Sequence, residues 1–241
     1  MSKTPTLAAS RTALPPEGAA PPKGGLSAGL ATPTLAASRT TLPAVVPFLN
    51  FAPELLLLAQ KVKVVFFDVD GVLTDGGLYF GAYPEGDARA TPQAGGHAAG
   101  ETLKRFNTLD GHGLKLLQRA GITPAVITGR DSAGLRARLQ ALGVTHAHFG
   151  TEDKRPAAES TLKALGFNWS EAAFMGDDWP DLPVMRRVAL SCAPANAHAE
   201  VKALASYVTQ ARGGDGAVRE LCDLLLMASG RYAQLLQEYT Q

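Results

Sequence analysis

The stretch Val62-Lys-Val-Val-Phe-Phe-Asp68-Val-Asp70-Gly71-Val-Leu-Thr74-Asp75-Gly76 decides how the rest of the chain is read. Val62 to Phe67 is a short run of β-branched and aromatic residues with little apolar–polar alternation. That is the pattern of a strand buried on both faces, as in a parallel sheet covered by helices. The run closes on two aspartates and a glycine. Asp68 and Asp70 are two apart, so both side chains reach one cleft only if the strand breaks there. Gly71 permits the break.

Outward from this stretch, helical and strand patterns alternate. Pro53 to Gln60 precedes it as a helix with proline in its first turn. After it come a helix over Gly113–Arg119 and a strand over Pro124–Thr128. A helix over Ala133–Leu142, stopped by Gly143, and a strand over Val144–Phe149 follow. Next are a helix over Arg155–Leu165, a strand over Ala172–Met175 and a short helix over Pro183–Val188. A strand over Ala189–Cys192, a helix over Glu200–Ala205, an edge strand over Tyr207–Thr209 and one closing helix over Val218–Gln237 complete the pattern. The order predicts an α/β fold: a Rossmann-like parallel sheet flanked by helices, with right-handed crossovers. Ligands on such sheets bind at the carboxyl ends of the strands.

The chemically distinctive residues fall there. Asp68 and Asp70 follow the first strand, Thr128-Gly-Arg130 the second, Lys154 the third, and Gly176-Asp177-Asp178-Trp-Pro-Asp181 the fourth. Carboxylates converging in a dry crevice repel one another unless a cation sits among them, and Mg²⁺ prefers oxygen ligands. A hydroxyl at Thr128 and an ammonium at Lys154 suit the oxygens of a phosphoryl group. One carboxylate is then free to attack phosphorus, and the other to protonate the leaving oxygen and activate water. Each motif alone has a plainer reading: Asp68 and Asp70 as turn formers, Thr128 as a helix cap, Arg130 as a surface ion-pair partner. Four in order at strand ends favour the site.

Together, Asp68-x-Asp70-Gly-Val-Leu-Thr74, Thr128-Gly-Arg130, Lys154 and Gly176-Asp177-Asp178-x-x-Asp181 resemble the four motifs of the haloacid dehalogenase superfamily. The resemblance implies Asp68 as nucleophile and Asp70 as general acid/base, with Thr128 and Lys154 holding the phosphoryl group. Asp68, the main chain of Asp70 and Asp177 would bind Mg²⁺, supported by Asp178 and Asp181. Phe106-Asn-Thr-Leu-Asp110-Gly-His-Gly113 and Gly213-Gly-Asp-Gly-Ala-Val-Arg-Glu-Leu-Cys-Asp223 narrow it further. They are similar to the 3-deoxy-D-manno-octulosonate 8-phosphate phosphatase family. Members are capless, carry a β-hairpin after the first strand and form homotetramers in which a neighbour's C-terminal tail helps close the site. The implied substrate contacts are Asp70, Asn107, Thr108, Leu109, Asp110, Gly111, Lys115, Arg130, Arg138 and Lys154. The implied reaction is hydrolysis of an acidic eight-carbon sugar phosphate that feeds lipopolysaccharide synthesis. A phosphatase for another acidic sugar phosphate, or a non-catalytic tetramerising module, is the alternative. On the residues alone, Lys115 and Arg138 read equally well as a solvated helix face.

Composition bounds these readings. The chain has 241 residues, 23 basic against 22 acidic, giving a formal net charge of +1, which argues against nucleic-acid binding driven by bulk charge. The longest apolar stretch, Ala44 to Ala59, is broken by Pro47, Asn50, Pro53 and Glu54, so no membrane span is expected. Cys192 and Cys222 are too few for a disulfide framework or a Cys-rich zinc site. A cytoplasmic protein is the expectation. Residues 1–52 are read as a disordered Pro/Ala-rich extension, in which Thr4–Thr12 recurs as Thr32–Thr40, and 53–241 as the phosphatase domain. Ala82 to Ala99 reads as an insertion in the hairpin, which spans Leu78–Phe106. His146 and His148 are taken as packing residues, and His112 as a turn filler or a ligand contact. Gly213 to Gly216 is taken as a flexible hinge before the tail rather than a phosphate loop, because it lacks the strand-before context and the Lys-Ser/Thr ending of a P-loop.

Overall fold

The structure, a computed structural model, describes residues 47–80 and 101–241. The expected extension therefore lies outside the described residues except for its last few positions, and the 82–99 insertion lies wholly outside them.

Six strands form one parallel sheet: β1 (Val64–Phe67), β4 (Thr123–Ile127), β5 (His146–His148), β6 (Ala172–Met175), β7 (Leu190–Ala193) and β8 (Tyr207–Val208). Their spatial order is β5-β4-β1-β6-β7-β8. The chain steps outward from β1 through β4 to β5, returns to β6 on the other flank of β1, and steps outward again. The order thus reverses beside β1, and a crevice opens at such a switch point. A separate two-stranded antiparallel ribbon, β2 (Tyr79–Phe80) and β3 (Glu101–Leu103), fills the place expected for the hairpin.

Burial explains the uninterrupted apolar run of β1. Val65 and Phe67 face one layer, with α1 (Pro53–Ala59), α2 (Thr108–Arg119), α3 (Ala133–Leu142), α7 (Ala217–Ala228) and α8 (Tyr232–Glu238). Val64 and Phe66 face the other, with α4 (Lys154–Leu165), α5 (Leu182–Met185) and α6 (Ala199–Leu204). All four strand residues are fully buried, each contributing about 1.5–3 kcal/mol of apolar transfer. Pro124 is tolerated in β4 because the β5 pairing begins one residue later, at Ala125, so no ladder bond asks for its missing N–H.

Three expectations are corrected. The second helix starts at Thr108, not Gly113, because Asn107 caps it by accepting the Leu109 N–H at 2.8 Å. Its glycines are packing sites rather than loop signals. A Cβ on Gly113 would lie 3.0 Å from Cys222 Sγ, and one on Gly111 would lie 2.3 Å from Arg138 Nη2. The closing helix is two helices, α7 and α8, parted at Gly230, whose φ of 72° ends α7 in a left-handed cap. Gly213 and Gly214 are not a hinge. A Cβ on Gly213 would lie 1.8 Å from the Gly71 carbonyl oxygen, and one on Gly214 would lie 2.4 Å from the Asp75 nitrogen. They are the surface against which the loop after β1 rests.

Candidate active site at the carboxyl ends of the strands

The loop after β1 turns sharply because Gly71 adopts φ 91°. Gly71 has a second reason to lack a side chain: its Cβ would lie 2.0 Å from Asp177 Oδ2. Gly176 does the same for Asp181, which a Cβ there would meet at 2.4 Å. The two motif glycines thus make room for the two motif acids. The loop is also held from the far side. Asn196 donates to the Gly71 carbonyl at 2.9 Å and accepts the Gly213 N–H at 2.6 Å, while the Gly214 N–H donates to the Val72 carbonyl at 3.0 Å.

Lys154, at the N-terminus of α4, reaches into the crevice. Its ammonium donates to Asp68 Oδ1 at 2.5 Å and to Asp181 Oδ1 at 2.6 Å. Asp181 Oδ2 accepts the N–H groups of Asp177 and Asp178 at 2.9 and 3.2 Å. Asp181 is therefore fully engaged as a brace, and Asp178 caps the short turn beside it through the Trp179 N–H. Thr128, buried at the end of β4, accepts the Arg130 N–H on its hydroxyl at 3.2 Å, which shapes the turn behind it.

Electrostatics mark the cluster. One carboxylate oxygen from each of Asp68, Asp177 and Asp181 lies within 4.8 Å of the others. Burial, partly offset by the Lys154 charge, lifts the Asp68 carboxyl to about 6. Burial and the neighbouring Asp68 and Asp181 charges lift Asp177 to about 8. Among the described residues no hydrogen-bond donor reaches the Asp177 carboxylate. Three acids against one ammonium, all offering oxygen, is a donor set that fits a hard divalent cation such as Mg²⁺. Asp68 and Asp177 would hold it, and Asp181 joins the cluster through its Lys154 bond. The Asp70 side chain is not in this group: its Oδ1 accepts from Lys104 at 2.5 Å, and its Oδ2 lies 3.6 Å from Arg130 Nε.

The remaining expected contacts gather at the N-terminus of α2. Arg138 Nη2 donates to the Asn107 carbonyl at 3.3 Å, and Arg138, Asn107, Asp110 and Gly111 line one small cavity. Asp110 is 1% exposed and points into the N-terminus of α7, where Oδ1 accepts the Arg219 N–H at 2.8 Å. Oδ1 is thus committed to capping a helix, while Oδ2 is buried with no hydrogen-bond partner among the described residues. Thr108, Leu109 and Lys115 are exposed on α2. His148 shares a hydrogen bond with Thr161 at 2.8 Å, a packing role as expected. Lys104 and Asn196 went unnoticed in the sequence, and Gly213 and Gly214 were read there as a hinge rather than as a seat for the loop after β1. A clue for Lys104 was its place at the foot of the hairpin, next to the Phe106-Asn107 motif.

The sheet order, the four strand-end motifs and the acid–lysine cluster define a haloacid dehalogenase-like hydrolase, and a model of that family matches residues 150–221. Over 180 residues the chain is 38% identical to 3-deoxy-D-manno-octulosonate 8-phosphate phosphatase of Salmonella typhimurium, covering 75% of this chain and 87% of that protein. The phosphatase of the same name from Escherichia coli K12 is 39% identical over 178 residues, 74% and 86% of the two chains. A crystal structure of the Yersinia pestis phosphatase superposes with a TM-score of 0.67 at 38% identity, covering 76% and 90%. The Moraxella catarrhalis phosphatase, solved with magnesium, phosphate and KDO, gives 0.69 at 33% identity, covering 77% and 98%. The chain belongs to the 3-deoxy-D-manno-octulosonate 8-phosphate phosphatase family.

Proposed function

We propose that this chain is a Mg²⁺-dependent phosphomonoesterase that hydrolyses 3-deoxy-D-manno-octulosonate 8-phosphate to the free sugar acid and phosphate in lipopolysaccharide biosynthesis. The observation that carries the reading is the buried Asp68–Lys154–Asp181–Asp177 cluster at the switch point of the sheet. Asp68 attacks phosphorus, and the bond from phosphorus to the sugar oxygen breaks as Asp70 gives that oxygen a proton. The resulting aspartyl phosphate is opened by water, whose proton returns to Asp70, and phosphate leaves with Asp68 restored. Thr128 and Lys154 hold the phosphoryl oxygens. Bound Mg²⁺ offsets the negative charge of nucleophile and phosphate, so that the two anions can approach. Arg130 and Arg138 supply cations for the substrate's second anionic group.

The relatives' names support the sugar, and the magnesium in the Moraxella phosphatase complex supports the metal. The protein works as a cytoplasmic homotetramer; Leu78, Tyr79 and Leu103, exposed on and beside the ribbon, are the apolar surface it would bury. Among the described residues no helix is long and apolar enough to cross a membrane.

The test is phosphate release by purified protein from 3-deoxy-D-manno-octulosonate 8-phosphate beside a panel of sugar phosphates, with Mg²⁺ and with EDTA. Metal-dependent release that favours this sugar is expected, and Asp68→Asn should be folded and silent. Preference for a different acidic sugar would keep the chemistry and reassign the substrate, with Leu109 as the first residue to change. Release that persists in EDTA would overturn the metal-assisted reading.

A further inference from the structure

The ribbon returns to the loop after β1 through three consecutive residues, each tied to it. Phe106 pairs with Thr74 in an antiparallel bridge. Arg105 spans Asp75 at 3.3 Å and Asp215 at 2.5 Å. Lys104 donates to Asp70 Oδ1 at 2.5 Å. Of these only Lys104 meets a reacting group.

The two cations on Asp70 are unlike. The Lys104 side chain is 5% exposed and close to its oxygen, whereas Arg130 is 45% exposed and its Nε stands 3.6 Å from the other. Oδ1 is thus anchored on the buried side, and Oδ2 is left on the open side, beside the more exposed of the two cations. A carboxylate on a two-bond side chain has few rotamers, and a charge-assisted bond to one oxygen selects among them.

We infer that Lys104 is a positioning residue for the general acid/base: it fixes Oδ1 of Asp70 so that Oδ2 faces the leaving oxygen of the phosphoester. The inference rests on the phosphatase reading above. It ties the chemistry to the ribbon, because Lys104 directly follows β3, and a displaced ribbon withdraws the anchor. Proton delivery to a poor leaving group is worth about 10²–10⁴-fold in rate. The role is therefore visible as a dependence on leaving group, which loss of the fold does not imitate.

The experiment compares the intact protein with Lys104→Met, Lys104→Arg and Arg105→Ala on two substrates in Mg²⁺. One is the sugar phosphate, whose alkoxide must be protonated. The other is p-nitrophenyl phosphate, whose phenolate leaves unaided. For Lys104→Met we expect kcat on the sugar phosphate to fall about 100-fold, with KM little changed and p-nitrophenyl phosphate turnover within about tenfold of the parent. Lys104→Arg should restore most of the loss, and Arg105→Ala should change both substrates equally. Equal loss on both substrates in Lys104→Met would make Lys104 a strap like Arg105. A raised KM with unchanged kcat would make it a substrate contact. Should Lys104→Met not fold, Lys104→Gln, which keeps a polar head but no charge, carries the same decision through its ratio between the two substrates. Failure of the parent itself to hydrolyse either compound would sink the phosphatase reading instead.

Discussion

Asp110 is the residue whose setting departs most from what its neighbours in sequence suggest. It stands in a motif read as substrate-binding, yet it accepts the Arg219 N–H and is almost wholly buried. Burial lifts its carboxyl from the ordinary 3.8 to about 6, against the pull of the Arg219 and Gly216 N–H groups. A folded-state value above the unfolded one means that the native protein keeps this proton longer. Its contribution to stability is therefore complete below about pH 4 and is lost as pH rises to about 6. Asp110→Asn keeps the capping oxygen and cannot ionise. We expect the fall in Tm between pH 4 and 6 to be shallower in that variant by roughly 5 °C. Parallel curves would show that Asp110 ionises as an ordinary surface acid does.

Elements meet here through positions that lack side chains. Gly113 lets α7 approach α2, and Gly213 lets the segment before α7 touch the loop that carries Asp68 and Asp70. Gly213→Ala forces a methyl to within 1.8 Å of a backbone oxygen in that loop. We expect kcat to fall roughly 100-fold together with a clear loss of Tm, because the atoms that must give way are backbone; steady-state kinetics and thermal unfolding side by side measure both. An unchanged kcat would mean that the loop has slack. This contact also explains what the sequence could and could not disclose. The strands were legible because two-sided burial demands unbroken apolar runs, and the strand-end acids because few structural needs call for Asp-x-Asp-Gly. Lys104 and Asn196 were not legible: their partners lie 34 and 125 positions away, and no local period records a contact across that span. The α7–α8 break was missed because apolar spacing continues through Gly230. The start of α2 was missed because glycines in a helix look like a loop until the helix packed on them is known.

At the scale of the whole molecule, the site is a charge imbalance that the fold maintains. Asp177 is lifted to about 8 by burial and by its acidic neighbours, so the metal-free protein carries an electrostatic cost that a divalent cation removes. Adding Mg²⁺ to metal-stripped protein should raise Tm, by an amount corresponding to about 2.7 kcal/mol at one hundred times the dissociation constant. Asp177→Asn should abolish that rise and, without metal, be the more stable form at pH 8. A Mg²⁺ response that survives Asp177→Asn would place the cation elsewhere.

The central position of β1 governs how the chain comes into being. β1 ends at Phe67, while its partner on the flank opposite β4, β6, begins at Ala172. At ribosomal speeds the second follows the first by roughly 5–20 s. Through that interval a fully apolar strand has one edge without a partner, and pairing over such a span closes slowly. The hazard of a nascent or truncated chain is therefore aggregation before it is inactivity, and catalysis begins only after β6 has closed on the first strand.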